Sequence, residues 1–199
     1  MTDPVVLGID PSLHFGWAVN SARWNRPKFG LIELISPDEY GYGRCLCDLA
    51  GKVGDIIEGH GVTDVFIEQP ILIINPQRKR QISINLSSRL TLYKIEGAVE
   101  MEVYRRGLPD VRWVTIQSWR KRYLGTDRAP PGITRDEARR DWWKREAKKA
   151  CAARDLYITD DNVAEAVGIC DFGLSVVCPI YRNRTDPVAR RAEIQPISD

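Results

Sequence analysis

The sequence predicts one α/β domain in which a mixed five-stranded sheet is flanked by helices. Three closely spaced apolar runs of strand character open the chain, and strands then alternate with segments of helical period. The 199 residues are enough for one domain with a core that needs no disulfide or structural metal. Because no apolar run approaches the roughly 20 residues that a membrane-spanning helix needs, we expect no membrane association.

The first 35 residues predict an antiparallel meander. Pro4 to Asp10 is a short apolar strand that ends in an aspartate, and a Pro-Ser turn follows it. Phe15 to Val19 and Lys28 to Ile35 are the second and third strands, since Arg23 to Pro27 has the composition of a connecting turn.

The middle of the chain predicts a helix, a strand and a second helix. Tyr40 to Gly59 has helical spacing of its apolar residues, and Asp64 to Glu68 is a short strand that again ends in a carboxylate. Gln69 to Ile84 has no clear period and is interpreted as a surface loop. Leu86 to Arg106 is a helix that ends at Gly107.

The last third predicts one strand and three helices. Val111 to Ile116 is the fifth strand, and a short helix starts near Gln117. Thr134 is expected to cap a long charged helix that reaches Arg154. Asp160 or Asp161 caps a last helix that runs through Phe172.

Composition favours a cytosolic domain over residues 1–180, followed by a polar C-terminal tail over 181–199. The 5 cysteines match no zinc or disulfide spacing, so we expect reduced and mostly buried thiols. The N-terminus enters a strand pattern without the basic segment of a signal peptide.

Charge is distributed unevenly although the net charge is only +2. No acidic residue lies between Glu68 and Glu96, a stretch that contains several basic residues. This separation suits a protein that holds metal in one place and phosphate around it. The basic residues of that stretch are Arg78, Lys79, Arg80, Arg89 and Lys94.

Three elements each present carboxylates at an end. Asp10 ends the first strand, Glu68 ends the fourth, and Asp161 and Glu165 share one face of the last helix at an offset of four residues. If the first and fourth strands are neighbours, these acids crowd together and require a cation. Mg²⁺ or Mn²⁺ fits such oxygen ligands best.

Two such ions, about 4 Å apart, can activate a water and stabilise the departing oxygen in phosphodiester cleavage. Asp10 would then bridge both metals, and Glu68 and Glu165 would each hold one side. Asp161 would complete the shell or orient water.

Each acid also has a structural interpretation. Asp10 before Pro-Ser is compatible with a turn aspartate, and Asp160 and Asp161 with helix caps. Glu68 resists this interpretation, because a glutamate that ends an apolar run is poorly placed to cap a helix. Four acids at compatible element ends favour the metal site.

Four segments in order, over about 170 residues, resemble the RuvC-type Holliday junction resolvases of the RNase H-like superfamily. The resemblance implies an RNase H-like fold and a metal-dependent endonuclease, a homodimer acting on four-way junctions or other branched DNA in the cytoplasm of a bacterial or phage-infected cell. It also implies a lysine near the scissile phosphate, which we assign to Lys121. The segments are Val6 to Ser12 with Gly16 to Val19, Ile67 to Gln69, Val114 to Gly125, and Asp161 to Val167.

The last of these segments departs from the family pattern at two positions. Glu165 stands where the family has aspartate, and Asn162 stands where it has aspartate or histidine. Either Asn162 coordinates metal through its amide oxygen, or Asp161 takes that place. We favour Asp161, because a carboxylate binds Mg²⁺ better than an amide does.

Two basic clusters are candidate DNA contacts. Arg78 to Arg80 follow Glu68 and are expected to neutralise phosphates, together with Arg89, while Ile71 to Ile74 would wedge against an opened base pair. The second cluster is Arg120, Lys121 and Arg122 after the fifth strand.

The helix from Leu86 carries an apolar face that would pair with a second copy or pack on its own sheet. This face consists of Leu90, Tyr93, Ala98 and Met101.

Two other functions compete with the nuclease. An actin-like ATP-binding fold shares a strand-Asp-turn opening, but it needs a second lobe for which 199 residues leave little room. A non-catalytic nucleic-acid-binding module is compatible with the departures at Asn162 and Glu165.

Overall fold

The computed structural model describes residues 3–69 and 86–185, with side chains over 3–69 and 90–182. Within these ranges, five strands form one mixed sheet in the order β3-β2-β1-β4-β5. The strands are β1 (Val5–Asp10), β2 (His14–Ser21), β3 (Lys28–Glu33), β4 (Asp64–Glu68) and β5 (Arg112–Val114). The helices are α1 (Pro37–Tyr40), α2 (Tyr42–His60), α3 (Leu86–Arg105), α4 (Ile116–Leu124), α5 (Asp136–Ala152), α6 (Asp161–Val177) and α7 (Pro179–Thr185).

The strand pairing confirms the predicted sheet. β1, β2 and β3 form an antiparallel meander, and β4 and β5 continue the sheet in parallel from β1. β1 and β4 are therefore direct neighbours, with Ile9 opposite Ile67. This adjacency is the condition on which the predicted meeting of Asp10 and Glu68 depends.

Several helix ends differ from the prediction by one to five residues, and two of them have a clear physical cause. α5 begins at Asp136 after Arg135, so Thr134 is not its cap; acidic residues in the first turn instead face the positive end of the helix dipole. α6 continues to Val177, five residues beyond Phe172, because the apolar sequence is not interrupted until Pro179.

Two short helices were not predicted. α1 precedes α2, and α7 begins inside the region interpreted as the end of the domain and a polar tail. Residues 186–199 of that tail, and 70–85 of the predicted surface loop, lie outside the described residues.

The two faces of the sheet pack on different helices. Val6, Phe66 and Val114 point to the side that α4, α5 and α6 cover, and Leu7, Ile9 and Ile67 point to the side of α2 and α3. Because side chains alternate along a strand, Asp10 and Glu68 fall on the first of these sides. The strand ends thus aim their carboxylates at α6.

Two glycines let α6 approach the sheet closely. A Cβ at Gly8 would overlap the backbone of Cys170 and Ala166, and one at Gly16 would overlap the backbone of Asn162. On α6 itself, Gly173 adds to the close approach, because a Cβ there would overlap the side chains of Phe66 and Val6. Gly168 lies against the rings of Trp119 and Tyr123 in α4.

All 5 cysteines are free thiols, as predicted; three are buried, whereas Cys47 is exposed and Cys178 is partly buried. In the described part of the chain, no helix combines the length and the apolar character that crossing a bilayer requires.

Candidate metal and catalytic site

The first two acids of the predicted site lie at the ends of adjacent parallel strands. Asp10 is buried, with 8% of its surface exposed, and Glu68 is partly buried at the end of β4. A turn aspartate would accept a hydrogen bond from the residues that follow it. Among the described residues, the Asp10 carboxylate makes no such bond, so the interpretation of Asp10 as a turn residue is not supported. The sheet therefore brings this pair together as predicted.

The helix α6 supplies the third acid. Asp160 is its N-cap, and its carboxylate accepts hydrogen bonds from the backbone N–H groups of Asn162 (2.9 Å) and Val163 (3.0 Å). Capping thus explains Asp160 and leaves Asp161 and Glu165 on the first turns of the helix. The Glu165 side chain is 12% exposed and faces the strand ends.

Burial raises the pKa of all three enclosed acids, and repulsion from the neighbouring carboxylates adds to this effect at Asp10 and Glu68. For Asp10, burial raises the pKa well above its usual range, and the charges of Glu165 and Glu68 raise it further. Burial and then Glu165 raise the pKa of Glu68 to about 7, against the opposing effects of Trp119 and Arg120. Burial likewise raises the pKa of Glu165. The three carboxyl groups therefore share one electrostatic environment.

Trp119 orients one of these acids. Its indole Nε1–H donates a hydrogen bond of 2.6 Å to Oε2 of Glu68, and the Trp119 side chain is completely buried. The ring packs against Gly168 of α6, so the donor is held by the core. This bond fixes one Glu68 oxygen and leaves the other for a further partner.

Arg120 binds another acid. Its Nη2 donates to Oε1 of Glu165 at 3.2 Å, and the guanidinium lies over the rings of Trp143 (4.4 Å to the centroid) and Trp119 (5.3 Å). Burial lowers the pKa of Arg120, while Glu165 and Glu68 oppose this effect. An arginine from α4 thus lies among the acids.

Asp161 lies at the solvent-exposed rim of the acid cluster, where two lysines of α5 bind it. Lys144 and Lys148 reach its two oxygens at 2.9 and 2.6 Å, and its side chain is 28% exposed. Burial acts to raise the pKa of Asp161, but the hydrogen bonds from both lysines outweigh it and the net pKa is lowered. The neighbouring Asn162 donates its side-chain amide to the backbone carbonyl of His14 at 2.9 Å.

The carboxylate oxygens of the enclosed acids fit a hard divalent cation, which would favour the ionised form that burial opposes. As the side chains stand, no group of three acidic, histidine or cysteine residues among those described is arranged to hold an ion. Glu165 is turned to Arg120 instead.

The predicted DNA contacts of α4 separate in the structure. Lys121 is exposed, whereas Arg122 is directed to Asp171 (3.7 Å) and to the carbonyl of Arg182 (3.4 Å), away from the acids. Arg89 belongs to α3, but its side chain is not described. Arg78, Lys79, Arg80 and the predicted wedge of Ile71 to Ile74 lie outside the described residues.

Sequence reasoning missed three residues of this site. Trp119 carries no local signal, because only the packing of α4 on α6 brings it to Glu68. Lys144 and Lys148 do carry one, since an offset of four residues places two cations on one helix face.

No protein-family model and no curated protein sequence matches the chain. Solved structures do match. The RuvC structure of Thermus thermophilus superposes with a TM-score of 0.58 at 18% identity, over 92% of this chain and 98% of that one. T. thermophilus RuvC in complex with a Holliday junction substrate gives 0.57 at 14% identity, over 84% and 90%. The yeast mitochondrial Holliday junction resolvase gives 0.54 at 11% identity, over 94% and 83%.

The predicted likeness to RuvC-type resolvases is thereby confirmed at the level of the fold. The chain has an RNase H-like α/β fold, with a mixed five-stranded sheet flanked by helices. The similarity extends over most of each chain, although few residues are identical.

Proposed function

We propose that this protein is a divalent-metal-dependent endonuclease that cuts four-way junctions or other branched DNA. The observation that carries the proposal is the enclosure of three acids, Asp10, Glu68 and Glu165, at the strand ends of a RuvC-like fold. Buried acids with raised pKa values, gathered from separate elements of the fold, are typical of functional sites.

Asp10, Glu68 and Glu165 would hold Mg²⁺ or Mn²⁺, with Asp161 or Asn162 completing the shell. A pair of such ions, once bound, supplies an activated water and stabilises the leaving oxygen of a phosphodiester. The protein's own contribution is to orient the ligands, as Trp119 does for Glu68.

Three lysines are candidates for contacts with DNA phosphates. Lys121 is exposed on α4, and Lys144 and Lys148 line the rim on α5. Each would neutralise a backbone phosphate and strengthen binding at low salt. Branched DNA as the substrate is supported by the similar RuvC fold that was solved with a Holliday junction.

A second copy of the chain is the partner that we propose for α3. Resolving a four-way junction needs two cuts and hence two active sites. Leu90, Tyr93 and Met101 are each 44–50% exposed, and Tyr104 is 79% exposed. Ala98, which we had assigned to the same face, is buried in the protein's own core. A groove of about 650 Å³ between this helix and Trp113 extends the apolar surface.

Sedimentation velocity tests this interface. Met101→Glu with Tyr104→Glu should convert a dimer into a monomer, because two charges would be buried at the contact. Tyr157→Glu, at an equally exposed tyrosine on another surface, is the matched control. A wild-type monomer at micromolar concentration would rule the interface out.

The function itself is tested by cleavage of junction, flap and linear duplex DNA with Mg²⁺ or Mn²⁺. We expect branched substrates to be cut and linear duplex to survive. Asp10→Asn should bind junctions and leave them intact. Cutting by that variant at the wild-type rate would refute the site.

One feature favours a second candidate, a nucleic-acid-binding module without catalysis. Arg120 forms an ion pair with Glu165, and Lys144 forms one with Asp161, so both acids are already paired with cations of the protein. Junction binding without cleavage by any divalent ion would support that candidate. The actin-like alternative is disfavoured, since the described residues form one sheet and contain no second lobe.

A further inference from the structure

We propose that Arg120 is the built-in counter-ion of the acidic site and competes with the metal for Glu165. This inference rests on the proposed metal site and deepens it, because it assigns a residue that regulates how the site is filled. Metal binding is then an exchange of one cation for another at Glu165.

Arg120 is the single cation within salt-bridge distance of the three enclosed acids in the part of the chain that is described. Its guanidinium contacts Glu165 at 3.2 Å, and the two side chains are 13% and 12% exposed. No described Lys, Arg or His side chain pairs in this way with Asp10 or Glu68. Without metal, Arg120 therefore provides the main compensation for Glu165 and Glu68, and the more distant Lys144 contributes at Asp10 and Glu165.

The geometry makes this cation displaceable. Arg120 holds Glu165 through one nitrogen rather than through the bidentate fork that gives arginine its strongest pairs. Its buried Nε has no hydrogen-bond partner among the described residues. The ion pair is thus incomplete on the arginine side.

The aromatic rings offer the guanidinium a place that does not depend on Glu165. The ring centroid of Trp143 lies 4.4 Å from Cζ of Arg120, and the ring centroid of Trp119 lies 5.3 Å from it. Stacking on indole stabilises a desolvated cation. Glu165 can consequently turn to a metal ion while Arg120 stays on the rings.

The rim pairs of Asp161 differ in kind. Lys144 and Lys148 are 33% and 36% exposed, so solvent can replace them at little cost. Solvent has little access to the ion pair of Arg120 with Glu165, because both side chains are mostly buried. The competition with metal is therefore strongest at Glu165.

The test uses the full chain and Mn²⁺ as the probe. Arg120→Gln removes the competing charge and should bind Mn²⁺ about tenfold more tightly in isothermal titration calorimetry. The reason is that the interaction of a unit charge with a carboxylate at salt-bridge distance contributes more than about 1 kcal/mol, and about 1.4 kcal/mol corresponds to a tenfold change in affinity. In EDTA the same variant should melt at least about 5 °C lower, since it leaves buried carboxylates without a partner. The gap in melting temperature should narrow at saturating Mn²⁺.

Arg122→Gln is the matched control, because it removes an equally enclosed arginine from the same helix on the side of Asp171. It should leave Mn²⁺ affinity unchanged. If Arg120→Gln does not fold in EDTA, Arg120→Met removes the charge but keeps an apolar stem that can pack on the rings, and it too should bind Mn²⁺ more tightly than the wild type.

Equal or weaker Mn²⁺ binding by the Arg120 variants, with wild-type binding abolished by Asp10→Asn, would overturn the role of Arg120 and leave the metal site standing. Absence of Mn²⁺ binding in both the wild type and Asp10→Asn would overturn the proposed function and this inference together.

Discussion

The two acids at the ends of the strands and the two acids on helix α6 differ in whether a cation of the protein lies beside them. Asp10 and Glu68, the sheet acids, have no cation within salt-bridge distance in the described residues, and burial raises the pKa of both. Asp161 and Glu165, the helix acids, are each paired with cations from α5 or α4.

This contrast predicts different roles for the sheet acids and the helix acids. The fold buries the carboxyl groups of Asp10 and Glu68 at the strand ends, and their pKa values are raised, so an external cation there would favour their ionised form. The helix acids are already stabilised, so they are available to metal only by exchange. We therefore expect the sheet acids to dominate catalysis and the helix acids to tune metal binding.

The largest effect should come from Asp10→Asn. The substitution removes the most buried charge of the cluster and should lower the rate of junction cleavage by about 100- to 1000-fold, the range seen when one preorganised electrostatic group is lost. Junction affinity in a gel-shift assay should persist. Asp64→Asn, at the other end of β4, is the matched control and should cut normally. A loss of cleavage smaller than that in a helix-acid variant would reverse the ranking.

Trp119→Phe should have the next largest effect. It keeps the aromatic packing but removes the hydrogen bond to Glu68. Partners that orient a metal ligand typically contribute about 10- to 100-fold to metal affinity or activity, and we expect a loss in that range. Titration of cleavage with Mg²⁺ measures it. Trp24→Phe, in a turn between β2 and β3, should leave the titration unchanged.

Asp161→Asn should have a smaller effect on cleavage. A partly exposed carboxylate held by lysines contributes on the order of 1 kcal/mol, so the rate at saturating Mg²⁺ should fall by about fivefold or less. A loss as large as that of Asp10→Asn would instead make Asp161 the fourth metal ligand that the sequence suggests. Asn162→Ala, measured beside it, tests the other candidate.

The last effect concerns stability against pH in EDTA and does not involve cleavage. The pKa of Glu68 is raised from an ordinary 4.5 to about 7, so the folded state holds a proton that the unfolded chain has lost between these values. The contribution to stability is full below pH 4.5 and is lost as the pH rises through 7, at up to about 1.4 kcal/mol per pH unit. Glu68→Gln should reduce this slope in urea titrations.

Glu96 must be separated from that result. Burial and then Glu100 raise the pKa of Glu96 to about 7 as well, so it adds a slope of the same sign. Glu96→Gln measures its share, and adding Mn²⁺ should suppress only the part due to the metal site. An unchanged slope in Glu68→Gln would contradict the raised pKa of Glu68.

Local chemistry was enough to predict much of this protein. The apolar runs that end in Asp10 and Glu68 identify two strands and two acids, because strand residues and their boundaries are short-range properties. The offset of four residues between Asp161 and Glu165 places them on one helix face for the same reason. These motifs also carried the likeness to RuvC-type resolvases that the fold bears out.

The tertiary structure alone decided which partners those acids have. Lys121 and Arg120 are neighbours in sequence, yet Arg120 lies among the acids and Lys121 is exposed, because the packing of α4 on α6 sets which face of α4 is buried. The same packing brings Trp119 to Glu68, 51 residues away. Strand periodicity places an acid at an element's end, whereas its protonation and partners depend on contacts between distant elements that no local pattern records.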